Sequence, residues 1–145
     1  MTNQTLEKFN YPAALIAEYD HWVVLLRPAQ VTLGSVVIAA KAGVTSVGAL
    51  SSEAGAEFIR VVADFETTLR ALFAAEKFNY LALMMVDPNP HFHALPRYSL
   101  PVTFVGRTWD DTAWPKPPNL GDALGISDAQ KQDLQQLLKT KWTKQ

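Results

Sequence analysis

Two histidines separated by one residue are the side chains of this sequence best suited to catalysis or ligand binding. His91 and His93 lie in an apolar stretch of strand length. Because side chains alternate across a strand, both imidazoles project from one face, roughly 6 to 7 Å apart along the chain. Asn89 falls on the same face if the strand begins early enough. Imidazole, with an unperturbed pKa of about 6.5, can act as nucleophile or hydrogen-bond donor at neutral pH. The spacing is compatible with attack on an electrophile.

The same spacing also fits a structural pair or a metal site. His-x-His on a strand is a common ligand arrangement for metal ions. The only other histidine is His21, and the nearby carboxylate is that of Asp87. Since neither supplies an obvious third ligand by its spacing, we expect no metal and no cofactor.

Length and composition limit the classes of protein to consider. The chain has 145 residues, of which 48% are hydrophobic and 19% charged, as in an ordinary globular protein. We expect one domain over residues 1–145, with a core at about 14–104 and a tail and helix at 105–145.

The net charge of −1 gives no basic field for nucleic acid or an anionic membrane. The absence of cysteine excludes disulfides and thiolate catalysis. With no leader-like start and no long apolar run, we expect a cytoplasmic protein.

Strand patterns occur in two parts of the sequence. Residues 14–26 alternate between apolar runs and a polar break at Tyr19–His21, which predicts two strands meeting at a turn. The β-branched run Ser35–Ile38 predicts a third strand. The apolar runs Asn79–Val86 and His91–Tyr98 flank a turn-forming Asp87–Pro90. They predict two neighbouring antiparallel strands.

Helical periodicity appears between and after these strands. Apolar residues recur every three or four positions from Phe58 to Phe73, which predicts a helix capped by Ser51 or Ser52. Ser127 and Gln130 have the spacing of a capping box and predict a final helix. The resulting order, β-β-β-α-β-β followed by a tail and helix, predicts an α+β fold around an antiparallel sheet.

Residues 89–98, NPHFHALPRY, resemble the active-site strand of the histidine-triad superfamily. In that strand three histidines alternate with apolar residues, and Pro-Arg often follows. His91 matches the second histidine and His93 the third, while Asn89 stands at the position of the first. The segments WVVLLRPAQVTLGSVVIAAK and LSSEAGAEFIRVVADFETTL are similar to the preceding family elements, so the resemblance covers roughly residues 15–97.

The resemblance implies a fold and a chemistry. The fold is a histidine-triad-like antiparallel sheet of about five strands, with one long helix packed on it, a C-terminal extension and a further helix. His91 would attack the α-phosphorus of an adenine nucleotide, either a dinucleoside polyphosphate or a phosphoramidate. The resulting nucleotidyl-imidazole would be resolved by water or another acceptor. His93 would contact the phosphate or help protonate the leaving group, and Asn89 would position the nucleophile or hold a phosphate oxygen. A homodimer is also implied.

Several positions depart from the family pattern. Arg27 stands where relatives often carry Asp or Asn for the ribose, and it is either a contact for a distal phosphate or a surface residue. Arg97 would contact phosphate or pair with a carboxylate. Trp109 and Trp114 would be buried against the sheet or would stack on a nucleobase.

Two other functions remain open from the sequence. A nucleotide-binding module that has lost turnover would explain both Asn89 and the short loop Asp87–Pro90, which replaces the family's Gly-Gln-Ser/Thr stretch. An unrelated α+β domain with a two-histidine metal site is the second alternative.

Overall fold

The computed structural model describes residues 3–144, which form a five-stranded antiparallel sheet in the order β1-β2-β3-β5-β4 with helices packed on it. This confirms the predicted α+β class and the number of strands. The strands are β1 (Leu15–Glu18), β2 (Trp22–Leu26), β3 (Val36–Ala40), β4 (Lys77–Leu81) and β5 (His91–Arg97).

The predicted hairpin at residues 14–26 is confirmed. Tyr19 closes the turn between β1 and β2 by donating its backbone N–H to the Trp22 carbonyl at 2.8 Å. All five residues of β2, and all five of β3, are buried. Both faces of the central strands are therefore covered, which explains their nearly continuous apolar composition.

The predicted strand at Asn79–Val86 is wrong in its bounds, because β4 begins at Lys77 and ends at Leu81. Its last pairing is between Leu81 and His93. Beyond that point Met85 and Val86 are 83% and 85% exposed. The apolar run continues past the last strand pairing, so hydrophobicity alone misplaced the end of the strand.

Helix α2 (Ser52–Phe73) is the long helix that the periodicity predicts. The Ser51 side chain caps it by accepting a hydrogen bond from the Ala54 N–H. Its apolar stripe includes Val61, Phe65 and Leu69, which are completely buried in the main core. The helix ends at Ala74, whose φ of 57° is in the left-handed region.

Alternation divides the central sheet into two faces. The first face carries Val24, Ile38 and Ala94 and packs into the core with α2. The second face carries Val23 and Val37, in a smaller apolar cluster. The histidines of β5 belong to this second face. The short helix α1 (Gln4–Lys8), which the sequence did not predict, covers it together with Phe9.

The C-terminal part contains one unpredicted hairpin, β6 (Val102–Phe104) with β7 (Arg107–Trp109), and the predicted final helix. Helix α3 (Asp128–Lys141) begins with the complete capping box of Ser127 and Gln130. Leu134 and Leu138 are completely buried in the main core. Among residues 3–144, no helix is both long and apolar enough to cross a membrane.

Candidate active site

Strand β5 places the two imidazoles side by side. His91 pairs with Ala39 and His93 with Val37 in the central strand β3, which fixes their register in the middle of the sheet. The two ring centroids are 5.3 Å apart and the rings are nearly perpendicular, at 79°. Both rings lie on the second face, as alternation along the strand predicts.

The His91 ring is held in one orientation by a backbone carbonyl two residues earlier in the chain. Its Nδ1 lies 2.8 Å from the Asn89 carbonyl oxygen, which can only accept a hydrogen bond. Nδ1 therefore carries a hydrogen, and in the neutral ring Nε2 carries the lone pair. Nε2 is buried and has no hydrogen-bond partner within the described chain. A buried acceptor without a partner is uncommon, and it leaves a nucleophilic nitrogen unused in this conformation.

The His93 ring is fixed by Arg27, which follows β2 on the same face. The Arg27 Nε donates to Nδ1 of His93 at 3.1 Å. Because guanidinium has only donors, Nδ1 must accept, and the neutral ring carries its hydrogen on Nε2. Burial, then the positive charge of Arg27, lowers the pKa of His93 to about 4. At neutral pH His93 is an uncharged Nε2–H donor.

The Asn89 side chain binds the N-terminal segment instead of facing the imidazoles. Its Oδ1 accepts hydrogen bonds from the backbone N–H and the hydroxyl of Thr5, each at 3.3 Å. Its Nδ2 donates to the Val44 carbonyl at 3.0 Å, and its backbone N–H donates to the Thr5 hydroxyl at 3.1 Å. Of the two roles predicted for Asn89, the structure is compatible with positioning, through the backbone carbonyl that orients His91.

Residues 3–9, here called the N-terminal cover, lie over the histidines. The Phe9 ring centroid is 5.7 Å from that of His91 and 5.8 Å from that of His93. Lys8 and Asp87 form an ion pair at 2.9 Å at the edge of the cover. Consequently the His91 residue is 0% exposed and His93 is 7% exposed. The His91 side chain is enclosed in this conformation, with the Phe9 ring beside it.

Sequence reasoning missed the residues of the cover. Leu6 and Phe9 are apolar and three residues apart, which is the spacing of one helix face. Asn3 precedes them and caps α1 by accepting from the Leu6 N–H at 3.0 Å. These two signals together were available, but five helical residues are too few to predict a helix from periodicity.

Arg97 lies away from the imidazoles, four residues beyond His93 and so roughly 13 Å along the strand. Its guanidinium forms a two-point ion pair with Asp111, with Nε at 2.7 Å and Nη2 at 3.2 Å from the carboxylate oxygens. It also donates to the Asn79 side chain and to the Lys116 carbonyl. Arg97 is 4% exposed. Its donors are engaged within the chain, so the structure gives the predicted substrate contact of Arg97 no support.

The two tail tryptophans have different surroundings. Trp109 is buried, and its Nε1 donates to the Phe104 carbonyl at 3.1 Å. Trp114 lines a groove of about 510 Å³ along β4, together with Tyr80 and Lys116. Neither the groove nor the hydrogen-bond partner of Trp109 involves His91 or His93.

Within residues 3–144, no group of three or more His, Cys, Asp or Glu side chains is arranged to hold a metal ion.

The fold is similar to that of several solved proteins. A histidine-triad protein from Sinorhizobium meliloti 1021 aligns with 97% of this chain and 96% of its own, with a TM-score of 0.70 and 16% identity. One from Bradyrhizobium japonicum aligns over 99% and 98%, with a TM-score of 0.68 and 16% identity. The C. elegans NitFhit protein aligns with 88% of this chain, which spans 27% of NitFhit, with a TM-score of 0.64 and 15% identity.

The sequence matches no protein-family model and no curated protein. At identities of 15–16%, the structural likeness shows the fold. The chain has the fold of the histidine-triad proteins, as the resemblance of residues 89–98 predicts.

Proposed function

We propose that this chain, which has the histidine-triad fold, is a nucleotide hydrolase or transferase in which His91 attacks the α-phosphorus of an adenine nucleotide. The observation that carries the proposal is the state of the two rings. His91 holds a lone pair on Nε2 because Nδ1 donates to the Asn89 carbonyl. His93, beside it, holds a hydrogen on Nε2 because Nδ1 accepts from Arg27. A nucleophile and a donor therefore share one face of the sheet.

The first chemical step forms a bond between Nε2 of His91 and the α-phosphorus. The bond from phosphorus to the leaving group breaks, and the leaving group departs with that electron pair. The His91 ring then carries a positive charge, which the Asn89 carbonyl stabilises through Nδ1–H. The Nε2–H of His93 donates to a phosphate oxygen and stabilises the charge that develops there.

The second step returns the enzyme to its starting state. Water or another acceptor attacks the phosphorus, loses one proton to solvent or product, and displaces Nε2 of His91 with its electron pair. A nucleoside monophosphate is released when the acceptor is water. Splitting the displacement in this way gives two steps with lower barriers than the direct reaction.

Both steps require Phe9 to leave its present position. The His91 side chain is enclosed, so substrate reaches Nε2 only after the N-terminal cover shifts or the Phe9 ring rotates. Lids that close over a reactive group and open for substrate are a common feature of enzymes. Of the two roles predicted for Arg27, we propose the contact to a distal phosphate in the open site, since Arg27 donates through Nε and Nη1 and its Nη2 has no hydrogen bond to another residue among 3–144.

Turnover by matched histidine variants tests the proposal. Diadenosine tetraphosphate and adenosine phosphoramidate are offered to wild type, His91→Gln and His21→Gln. We expect wild type and His21→Gln to release AMP and His91→Gln to lose nearly all activity. Activity that survives in His91→Gln would contradict the nucleophile assignment.

A second candidate function is a binding module without turnover, which the complete enclosure of the His91 side chain favours. It predicts equal nucleotide affinity in wild type and His91→Gln, with no product from either. The homodimer implied by the family resemblance is part of the proposal in both cases. Sedimentation equilibrium at several concentrations tests it.

A further inference from the structure

We propose that Arg27 is a positioning residue that holds His93 as an uncharged hydrogen-bond donor, and that it thereby favours substrates whose leaving group is a phosphate anion. The inference rests on the proposed function and selects between the two substrate classes named there. Its first part, the state of His93, can be measured without any substrate.

The turn between β2 and β3 fixes the guanidinium. Arg27 Nη1 donates to the Ala29 carbonyl at 2.7 Å, while Nε donates to His93. The turn itself is held by Gln30, which is completely buried and donates to the Arg27 and Ser35 carbonyls at 2.7 and 2.8 Å. The guanidinium is therefore placed by the fold, so Nε stays directed at the imidazole.

The groups around His93 oppose a second proton on its ring. Burial lowers its pKa most, and the charges of Arg27 at the end of β2 and Lys8 on α1 lower it further, as does a proton on His91 of β5 whenever that ring is charged. Asp87 acts in the opposite direction, but it is paired with Lys8 at 2.9 Å. These influences together give a pKa of about 4, so the ring is uncharged at neutral pH.

An uncharged His93 cannot protonate a leaving group efficiently. Giving up the Nε2 hydrogen would leave an imidazolate, and the Nδ1 lone pair is occupied by the Arg27 N–H. An amine must gain a proton to leave a phosphoramidate, whereas a phosphate leaves a polyphosphate as a stable anion. The arrangement therefore favours cleavage of P–O–P bonds over P–N bonds, with His93 acting only as a hydrogen-bond donor.

Nitrogen-15 NMR of the imidazoles tests the role of Arg27 without substrate. The chain has three histidines, and His21 serves as an internal reference. In wild type we expect the His93 Nδ1 resonance to be that of an unprotonated nitrogen and to stay unchanged from pH 8 to pH 6. In Arg27→Met we expect the pKa of His93 to rise by about one unit or more. Arg60→Met, on an exposed arginine of α2, is the matched control and should leave His93 unchanged.

An unchanged tautomer and pKa of His93 in a folded Arg27→Met variant would overturn the positioning role. The amide spectrum of the same sample shows whether the variant is folded. If Arg27→Met does not fold, Arg27→Lys offers a second comparison, because lysine keeps the charge but lacks the fixed Nε–H.

The substrate preference is tested by the ratio of kcat/KM for diadenosine tetraphosphate to that for adenosine phosphoramidate. We expect wild type to favour the tetraphosphate, and Arg27→Met to shift the ratio towards the phosphoramidate by about tenfold or more, since general acid catalysis contributes of the order of 10²–10⁴-fold. Arg27 is also expected to contact a distal phosphate, which only the tetraphosphate carries, so the deciding quantity is kcat/KM for the phosphoramidate alone, which should rise in Arg27→Met. A wild type that prefers the phosphoramidate, or a kcat/KM for the phosphoramidate that Arg27→Met does not raise, would overturn the selectivity. No turnover of either substrate by wild type would instead refute the proposed function, while the NMR result would still decide the role of Arg27.

Discussion

Replacing Phe9 with alanine should expose His91 without unfolding the protein. Phe9 is 8% exposed, and its ring lies over both imidazoles. Truncating a core phenylalanine costs about 3–5 kcal/mol, and a residue in a thin surface layer should lie at the lower end, about 3 kcal/mol. Native domains have a free energy of unfolding of the order of 5–15 kcal/mol, so Phe9→Ala should remain folded.

The exposure is measured by chemical modification. Diethyl pyrocarbonate acylates unprotonated imidazole nitrogen, and peptide mass spectrometry reports each histidine separately. We expect the modification rate of His91 to rise by at least an order of magnitude in Phe9→Ala, because Nε2 is enclosed in wild type and has no competing hydrogen bond within the described residues. The rate at His21 provides the reference within each sample.

Two variants separate exposure of His91 from general loosening. Phe58→Ala removes an aromatic ring from the opposite face of the sheet, where it packs at 4.6 Å from Phe92. It should destabilise the chain without increasing the rate at His91. Phe9→Leu retains an apolar cover and should give an intermediate rate. An unchanged rate at His91 in folded Phe9→Ala, or an equal rise in Phe58→Ala, would refute the cover as the barrier to access.

Three further predictions concern stability and the cover. Asp111→Ala should lower the free energy of unfolding in urea by about 3–5 kcal/mol, because it leaves the Arg97 cation buried without its carboxylate; a loss below 1 kcal/mol would contradict this. Because the pKa of His93 is lowered to about 4, the unfolded chain binds more protons than the folded chain between about pH 4 and 6.5, so stability falls as pH drops through that window. From pH 7.5 to pH 5 the His93 contribution is about 2 kcal/mol, and His93→Asn should reduce the measured difference by that amount. Thr5→Val removes the hydroxyl that pairs with Asn89 and should speed modification of His91 by several-fold, whereas an unchanged rate would show that this pair does not hold the cover in place.

Much of the sheet could be predicted because its patterns are local. The hairpin at residues 14–26, the helix capped by Ser51 and the capping box at Ser127 each depend on residues close together in sequence. The end of β4 could not be predicted in this way, since it depends on where pairing with the distant strand β5 stops, at Leu81 and His93.

Part of the geometry of the candidate site was predicted for the same reason. His91 and His93 are neighbours on one strand, so alternation alone placed them together. The roles of Asn89 and Arg27 depend on contacts across long separations in sequence, with Thr5 in one case and with His93 in the other. The Arg97 pair with Asp111 closes only when the tail folds back onto β5, and no spacing in the sequence indicates that approach.

The most direct test of the central claim is to identify the covalent intermediate. Wild type and His91→Gln are mixed with diadenosine tetraphosphate and quenched within milliseconds in alkaline denaturant, because a phosphorus–nitrogen bond is lost in acid. Peptide mass spectrometry then locates any adenylyl group. We expect an adenylyl group on His91 of wild type and none on the variant. Product formation by wild type with no adenylyl group on His91, or with the group on another residue, would contradict it.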